Sequence, residues 1–189
     1  MSIAMPGPRR ADALRNREAV VRAAGEVFAA KGMDAGVPEI AARAGVGKAT
    51  VYRSFPTKEH LVAAVAIERL AWISDVALGG LDDPDAGAAL QGVVVAIAER
   101  QASDCAVSGS LASDIHLPEL DAARAAAQTA FEALIERGRA QGALRDDATG
   151  DDLRVLFTGM STVLRERHER DPEVWRRFGT LVVDALRPR

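Results

Sequence analysis

Apolar residues recur at three- and four-residue spacing along almost the whole chain, and nowhere do they alternate with polar residues at a spacing of two. The first pattern gives a helix one buried stripe; the second is what a half-buried strand requires. Aromatic residues, which sheets favour, make up only 4%. The pattern predicts an all-α chain of about nine helices. Leu14, Val21, Ala24, Val27 and Phe28 share one stripe, predicting a helix over 11–31 that stops at Gly32. Two short helices follow at 37–44 and 48–54, separated by Gly45-Val46-Gly47. Pro56 then forces a break, and Thr57, with Glu59 in support, caps a longer helix to Leu78. Further helices are predicted over 86–102, 118–141, 151–169 and 172–186, the first of these after the polar turn Leu81–Asp85. The stretch Ser103–Leu117 is the least regular.

At 189 residues the chain suits one domain or two small ones, and 48% hydrophobic with 27% charged residues is ordinary globular composition. There is no apolar run of the ~18 residues that a membrane span needs. The start, MSIAMPGPRR, lacks the apolar stretch of a signal peptide, and the single cysteine, Cys105, has no internal partner for a disulfide. These features imply a cytoplasmic protein with no membrane association. The net charge of -3 is unevenly spread: residues 1–60 hold ten Lys/Arg against six Asp/Glu, and the remainder holds 14 against 21. A head of +4 on a body of -7 points to an anionic partner at the head alone.

The most informative window is Val37–Leu61, VPEIAARAGVGKATVYRSFPTKEHL. Two short helices joined by a glycine-containing turn have the form of a helix-turn-helix. Ala41 is small where the helices approach, and Gly45 stands where a positive φ is least costly. Ile40, Ala44, Val46 and Val51 supply the buried side. The second helix exposes Lys48, Thr50, Tyr52 and Arg53, all able to donate to phosphates or base edges.

The window closely resembles the DNA-binding domain of the TetR family of bacterial transcriptional regulators. The likeness is carried by Ile40-Ala41, Ala44-Gly45-Val46, Lys48, Thr50-Val51-Tyr52, Phe55, Lys58-Glu59 and Leu61, with Ala23-Ala24, Phe28 and Lys31-Gly32 before them. It spans about residues 14–65. One departure is Gly36, where the family often has a Thr or Ser that caps the helix and touches a phosphate. The segment from Gly142 to Leu153 also looks like a turn seen in many actinobacterial members.

The resemblance implies a flexible tail (1–10), a helix-turn-helix domain (11–56) and a helical ligand-binding and dimerisation domain (57–189). It places Gly45 at the turn, and Lys48, Thr50, Tyr52 and Arg53 against the major groove of an operator and its flanking phosphates. Thr57 and Lys58, at a helix N-terminus, would grip a phosphate. Arg9 and Arg10 would reach the adjacent groove or backbone.

In the body, an effector pocket is expected among the helices near 61–78, 86–102, 118–141 and 151–169. Trp72, Val94, Phe131, Phe157 and Met160 are its apolar lining, and Gln91 and His116 its polar points of orientation. The acidic body favours a neutral or cationic effector over a multiply anionic one. Apolar residues cover too much of the last helix for a single core stripe. Trp175, Phe178, Val182 and Leu186 are therefore expected at a homodimer interface, beside Val155, Gly159 and Thr162 of the helix before it.

Several other patterns fail on their spacing. Gly45-x-Gly47-Lys48 has Ala42 and Ala49 where a phosphate-binding loop needs Gly and Ser/Thr. Asp104, Ser108, Ser110, Asp114 and His116 lack a nucleophile elbow. Cys105, His60, His116 and His168 lack zinc-ligand spacing. Arg124, Gln128 and Glu132 form a solvated helical face. No catalytic residue, metal site or cofactor is expected. The reading is a DNA-binding regulator, a ligand-released repressor that binds a palindromic operator as a dimer. The alternatives are an architectural DNA binder without effector, and a small-molecule-binding bundle or enzyme with a vestigial head.

Overall fold

Prolines open helices, and glycines close them, where their backbone chemistry suits. Pro38, Pro118 and Pro172 stand in first turns, where a missing N–H costs nothing. Gly45 and Gly142 take left-handed φ values of 69° just beyond helix ends. The computed structural model describes residues 8–32, 35–103 and 114–188, and of residues 8–11 the backbone alone. Among the described residues there are eight α-helices, one 3-10 turn and no strand. They are α1 (Pro8–Lys31), α2 (Val37–Ala44), α3 (Lys48–Ser54), α4 (Lys58–Gly79), α5 (Ala86–Ser103), α6 (Pro118–Ala140), α7 (Gly150–Glu166) and α8 (Pro172–Asp184), with the 3-10 turn at Gly80–Asp82.

The described residues divide into two compact units, residues 8–32 and 35–66 with 114–116, and residues 67–103 with 117–188. The division falls inside α4, ten residues beyond the boundary expected from the sequence, because Leu61, Val62 and Val65 are buried with the head. In this first unit Val20, Ala24, Val27 and Phe28 of α1 meet Ile40 and Ala41 of α2 and Val51 of α3, all buried. Leu14, expected on the same stripe, is 49% exposed. Residues 12–18 are all exposed, and the buried stripe of α1 begins only at Val20.

The core of the second unit joins Leu90, Val93, Val94 and Ile97 of α5 to Leu134 and Ile135 of α6, Leu153 of α7, and Val182, Val183 and Leu186 at the C-terminal end. A smaller cluster surrounds Trp175 with Ala98, Ala102 and Leu164. This corrects the interface expected of α8: Trp175, Val182 and Leu186 are 0%, 7% and 0% exposed in the chain by itself. Gly179 lets α8 lie close against α5, since a Cβ there would meet Ala98 Cβ at 3.1 Å. The side of α8 that looked surplus to one core therefore packs within its own unit.

The turn before α7 is held by polar contacts. Thr149 Oγ1 accepts from the Asp152 N–H at 3.1 Å, while Asp152 accepts from the Thr149 N–H at 3.0 Å, a reciprocal capping box. Arg145 donates to Asp152 at 3.2 Å. The hydrogen bonds from Thr149 and the nearby Arg145 charge hold the Asp152 carboxyl below its usual pKa. A depressed carboxylate pKa adds stability above about pH 4 and loses it as acid protonates the group. Thr149→Ala should cost about 1 kcal/mol, and Asp152→Asn should remove part of the acid-side loss. Urea unfolding of both variants at neutral pH and near pH 3.5 checks the pair.

Candidate nucleic-acid interface

Two glycines shape the head. Gly36 caps α2 with its carbonyl, which accepts from the Glu39 and Ile40 N–H groups at 3.1 and 3.3 Å, and no side chain caps that helix. After the left-handed Gly45, the Val46 N–H returns to the Ala41 carbonyl at 3.0 Å. This closes the turn that sets α3 against α2. Gly47 then starts α3, with its carbonyl accepting from Thr50 at 2.8 Å. Val51 is turned into the core at 1% exposure. The opposite side of this seven-residue helix is thereby committed to solvent.

That side carries Lys48, Ala49, Tyr52 and Arg53, all exposed, with Thr50 half-buried at its edge. Lys48 Nζ lies 5.8 Å from the centroid of the Tyr52 ring, a cation–π arrangement. Arg53 Nη2 donates to Thr50 Oγ1 at 3.0 Å. Three other head cations are paired with carboxylates: Lys31 with Glu39 at 2.7 Å, Arg43 with Glu26 at 2.6 Å, and Arg15 with Asp12. No carboxylate of the described residues pairs with Lys48 or Arg53. Positive charge is thus left uncompensated on the exposed face of α3, where an anionic ligand would meet it.

The flanks of α3 are built to the same end. Phe55, 3% exposed, ends the helix and carries the Arg17 guanidinium 4.9 Å from its ring centroid. Thr57 Oγ1 accepts from the His60 N–H at 3.3 Å and lies 2.8 Å from His60 Nδ1, so the partner of this cap is His60 rather than Glu59. Lys58 Nζ lies 5.9 Å from the Phe28 ring. Arg9 and Arg10 fall in the first turn of α1, which begins three residues before the expected start; their side chains lie outside the described residues.

In the second unit the structure brings together five of the expected pocket residues. Val94 is buried in the main core, and Trp72, Phe131, Phe157 and Met160 pack against it half-buried. The Arg100 guanidinium stacks 4.2 Å from the Trp72 ring. Gln91 is elsewhere, its Oε1 accepting from Arg187 at 2.6 Å. His116 is exposed and groups with the first unit. Cys105, Ser108, Gly109 and Ser110 lie outside the described residues. The sequence reading missed two buried polar residues, Gln101 and Ser161. Gln101 is 9% exposed and accepts from Arg165 at 3.0 Å; Ser161 is 2% exposed and its hydroxyl has no partner among the described residues.

The exposed side of α7 carries Val155 at 56%, Leu156 at 39% and Val163 at 44%, with Gly159 and Thr162 between them. Leu181 of α8 is 49% exposed. Beside this stripe runs an open groove of roughly 300 Å³ lined by Gly159, Met160, Val163, Leu164, Arg167 and Phe178. Leu181 is one of the apolar residues that the sequence reading counts as surplus on the last helix, whereas Leu156 and Val163 were not singled out. Their exposure depends on which side of each helix the neighbouring helices cover, which periodicity alone leaves open.

Residues 20–65 match the family model of the bacterial regulatory proteins of the tetR family, and residues 85–188 match the C-terminal domain of SbtR-like transcriptional regulators. The chain belongs to the TetR family. A TetR transcription regulatory protein from Mycobacterium vanbaalenii is 33% identical, with a TM-score of 0.62 over 96% of this chain and 100% of that one. A TetR transcriptional regulator from Streptomyces coelicolor is 28% identical, with a TM-score of 0.65 over 91% of this chain and 98% of that one. The fatty acid degradation regulator FadR of Bacillus halodurans shares the fold, with a TM-score of 0.69 over 90% and 99% at 18% identity. No curated protein matches the chain significantly.

This TetR protein is accordingly a DNA-binding transcriptional regulator, and its relatives are regulators rather than enzymes. Among the described residues no group of three His, Cys, Asp or Glu side chains is placed to hold a metal ion, and no helix is long and apolar enough to cross a membrane.

Proposed function

We propose that the protein is an effector-released repressor that binds a near-palindromic operator as a homodimer. The observation that carries this reading is the pairing of an uncompensated cationic face on α3 with an uncovered apolar stripe on α7. Two recognition helices address successive major grooves only when held about one helical turn apart, roughly 34–36 Å. A second copy of the chain, seated on Val155, Leu156, Gly159, Val163 and Leu181, supplies the second head. The open groove beside Gly159 takes a side chain of the partner.

For the effector, the lining is Trp72, Phe131, Phe157 and Met160, with Ser161 and Gln101 as polar points of orientation in place of Gln91 and His116. This suits a largely apolar, uncharged molecule with one hydrogen-bonding group. A ligand that favours the DNA-incompetent spacing of the heads lowers operator affinity by its differential affinity for that state. α4 contributes residues to both units, and is the element through which the body acts on the head.

Ser161→Ala separates structure from function here. An unsatisfied buried hydroxyl costs about 1–3 kcal/mol, so the variant should unfold at higher urea than the native chain while responding less to effector. Compounds that quench tryptophan fluorescence and release the protein from operator DNA provide the readout. Ligands that bind the body without changing operator affinity would overturn the release mechanism. Intact operator binding by a protein that sediments as a monomer at micromolar concentration would overturn the dimer.

A further inference from the structure

The recognition helix shows solvent two chemically different ends. Its first turn exposes Lys48 and Ala49; its second exposes Tyr52 and Arg53. No residue from Lys48 to Ser54 carries an amide or a carboxylate. The bidentate amide that selects adenine and the acceptor that selects cytosine are therefore missing from the helix. Glu39, the nearest acidic side chain on α2, is already paired with Lys31 at 2.7 Å. What the first turn does offer is one donor-only cation and one bare methyl group.

Those two groups match a definite pattern in the major groove. Guanine presents O6 and N7 as adjacent acceptors, and thymine presents its C5 methyl. Helix-turn-helix recognition helices address base edges with their N-terminal residues. Lys48 is restrained for that task, with Nζ 5.8 Å from the Tyr52 ring centroid and no carboxylate of the described residues paired with it. Arg53 stands at the other end of α3 and is tied along the helix to Thr50 Oγ1 at 3.0 Å.

We infer that each operator half-site is read through the first turn of α3, with Lys48 donating to O6 and N7 of a guanine and Ala49 packing on the methyl of a neighbouring thymine. Tyr52 is a positioning residue for the Lys48 ammonium. Arg53, steadied by Thr50, grips backbone phosphate whatever the sequence. The inference rests on the proposed reading of α3 as the recognition helix.

The test uses the full-length protein to enrich duplexes from a random pool, followed by anisotropy titrations on the enriched sequence. A guanine should recur at one position of each half-site, and 7-deazaguanine there, which lacks only the N7 acceptor, should weaken binding roughly tenfold. Lys48→Gln, checked for folding by its thermal melt, should move the preference at that position from guanine to adenine. Arg53→Ala should weaken all duplexes by one common factor and leave the preferences in place. Enrichment of a palindrome whose guanine preference survives Lys48→Gln, or which tolerates 7-deazaguanine, overturns this inference alone. Enrichment of no duplex at all overturns the DNA-binding reading, and this inference with it.

Discussion

Replacing Trp175 with alanine is expected to destabilise the protein by about 3–5 kcal/mol, the usual cost of emptying a large aromatic site. The indole is fully buried among Ala98, Ala102 and Leu164, and its Nε1 donates to the Glu169 carbonyl at 3.2 Å. Its removal leaves a cavity that the small Ala98 and Ala102 cannot fill, and it takes a donor from the Glu169 carbonyl. Domains of this size are commonly stable by only 5–15 kcal/mol, so the variant should be partly unfolded or melt far below the native chain. Urea unfolding followed by circular dichroism checks it. A variant with native stability that merely dissociates would place Trp175 at the interface after all.

Placing an aspartate at Val163 is expected to have the opposite signature. The side chain is 44% exposed in the single chain, so the fold should tolerate the carboxylate with little loss. In a two-fold dimer the same patch meets itself, and every substitution counts twice. An uncompensated charge buried at an interface costs about 3–5 kcal/mol, enough to abolish dimers at micromolar concentration. Operator affinity should then fall by roughly a hundredfold or more, because linked heads gain effective concentration that separate heads lose. Sedimentation and operator titration of Val163→Asp measure both effects. A dimer that persists would mean that α7 is not the contact.

The head was legible in the sequence because its constraints are local. Gly45 must turn, Val51 must be buried, and Pro56 must break the chain, so Lys48, Tyr52 and Arg53 face outward by geometry alone. The body was legible only in its helices. Val155 and Gly159 were assigned to a partner contact and are exposed in the single chain, but Trp175, Val182 and Leu186 were assigned to a partner when their own α5 and C-terminal segment cover them. Periodicity identifies an apolar stripe without saying which neighbour buries it. Gln91 shows the same limit: it stood among apolar residues of α5, yet its partner is Arg187, 96 residues away. Ser161 and Gln101 gave no signal, since a lone polar residue in a helix becomes informative only when the structure shows it buried.

The most direct test of the account is the salt dependence of binding to an enriched duplex, measured by anisotropy for the native chain, Lys58→Ala and Tyr52→Ala. The logarithm of the association constant should fall linearly with the logarithm of salt concentration, and Lys58→Ala should flatten that slope by about one phosphate contact while weakening all sequences alike. Tyr52→Ala should cost roughly 1–3 kcal/mol on the enriched duplex and far less on random DNA. Native slopes and native affinities in both variants would contradict the claim that α3 and the start of α4 form the DNA-binding surface.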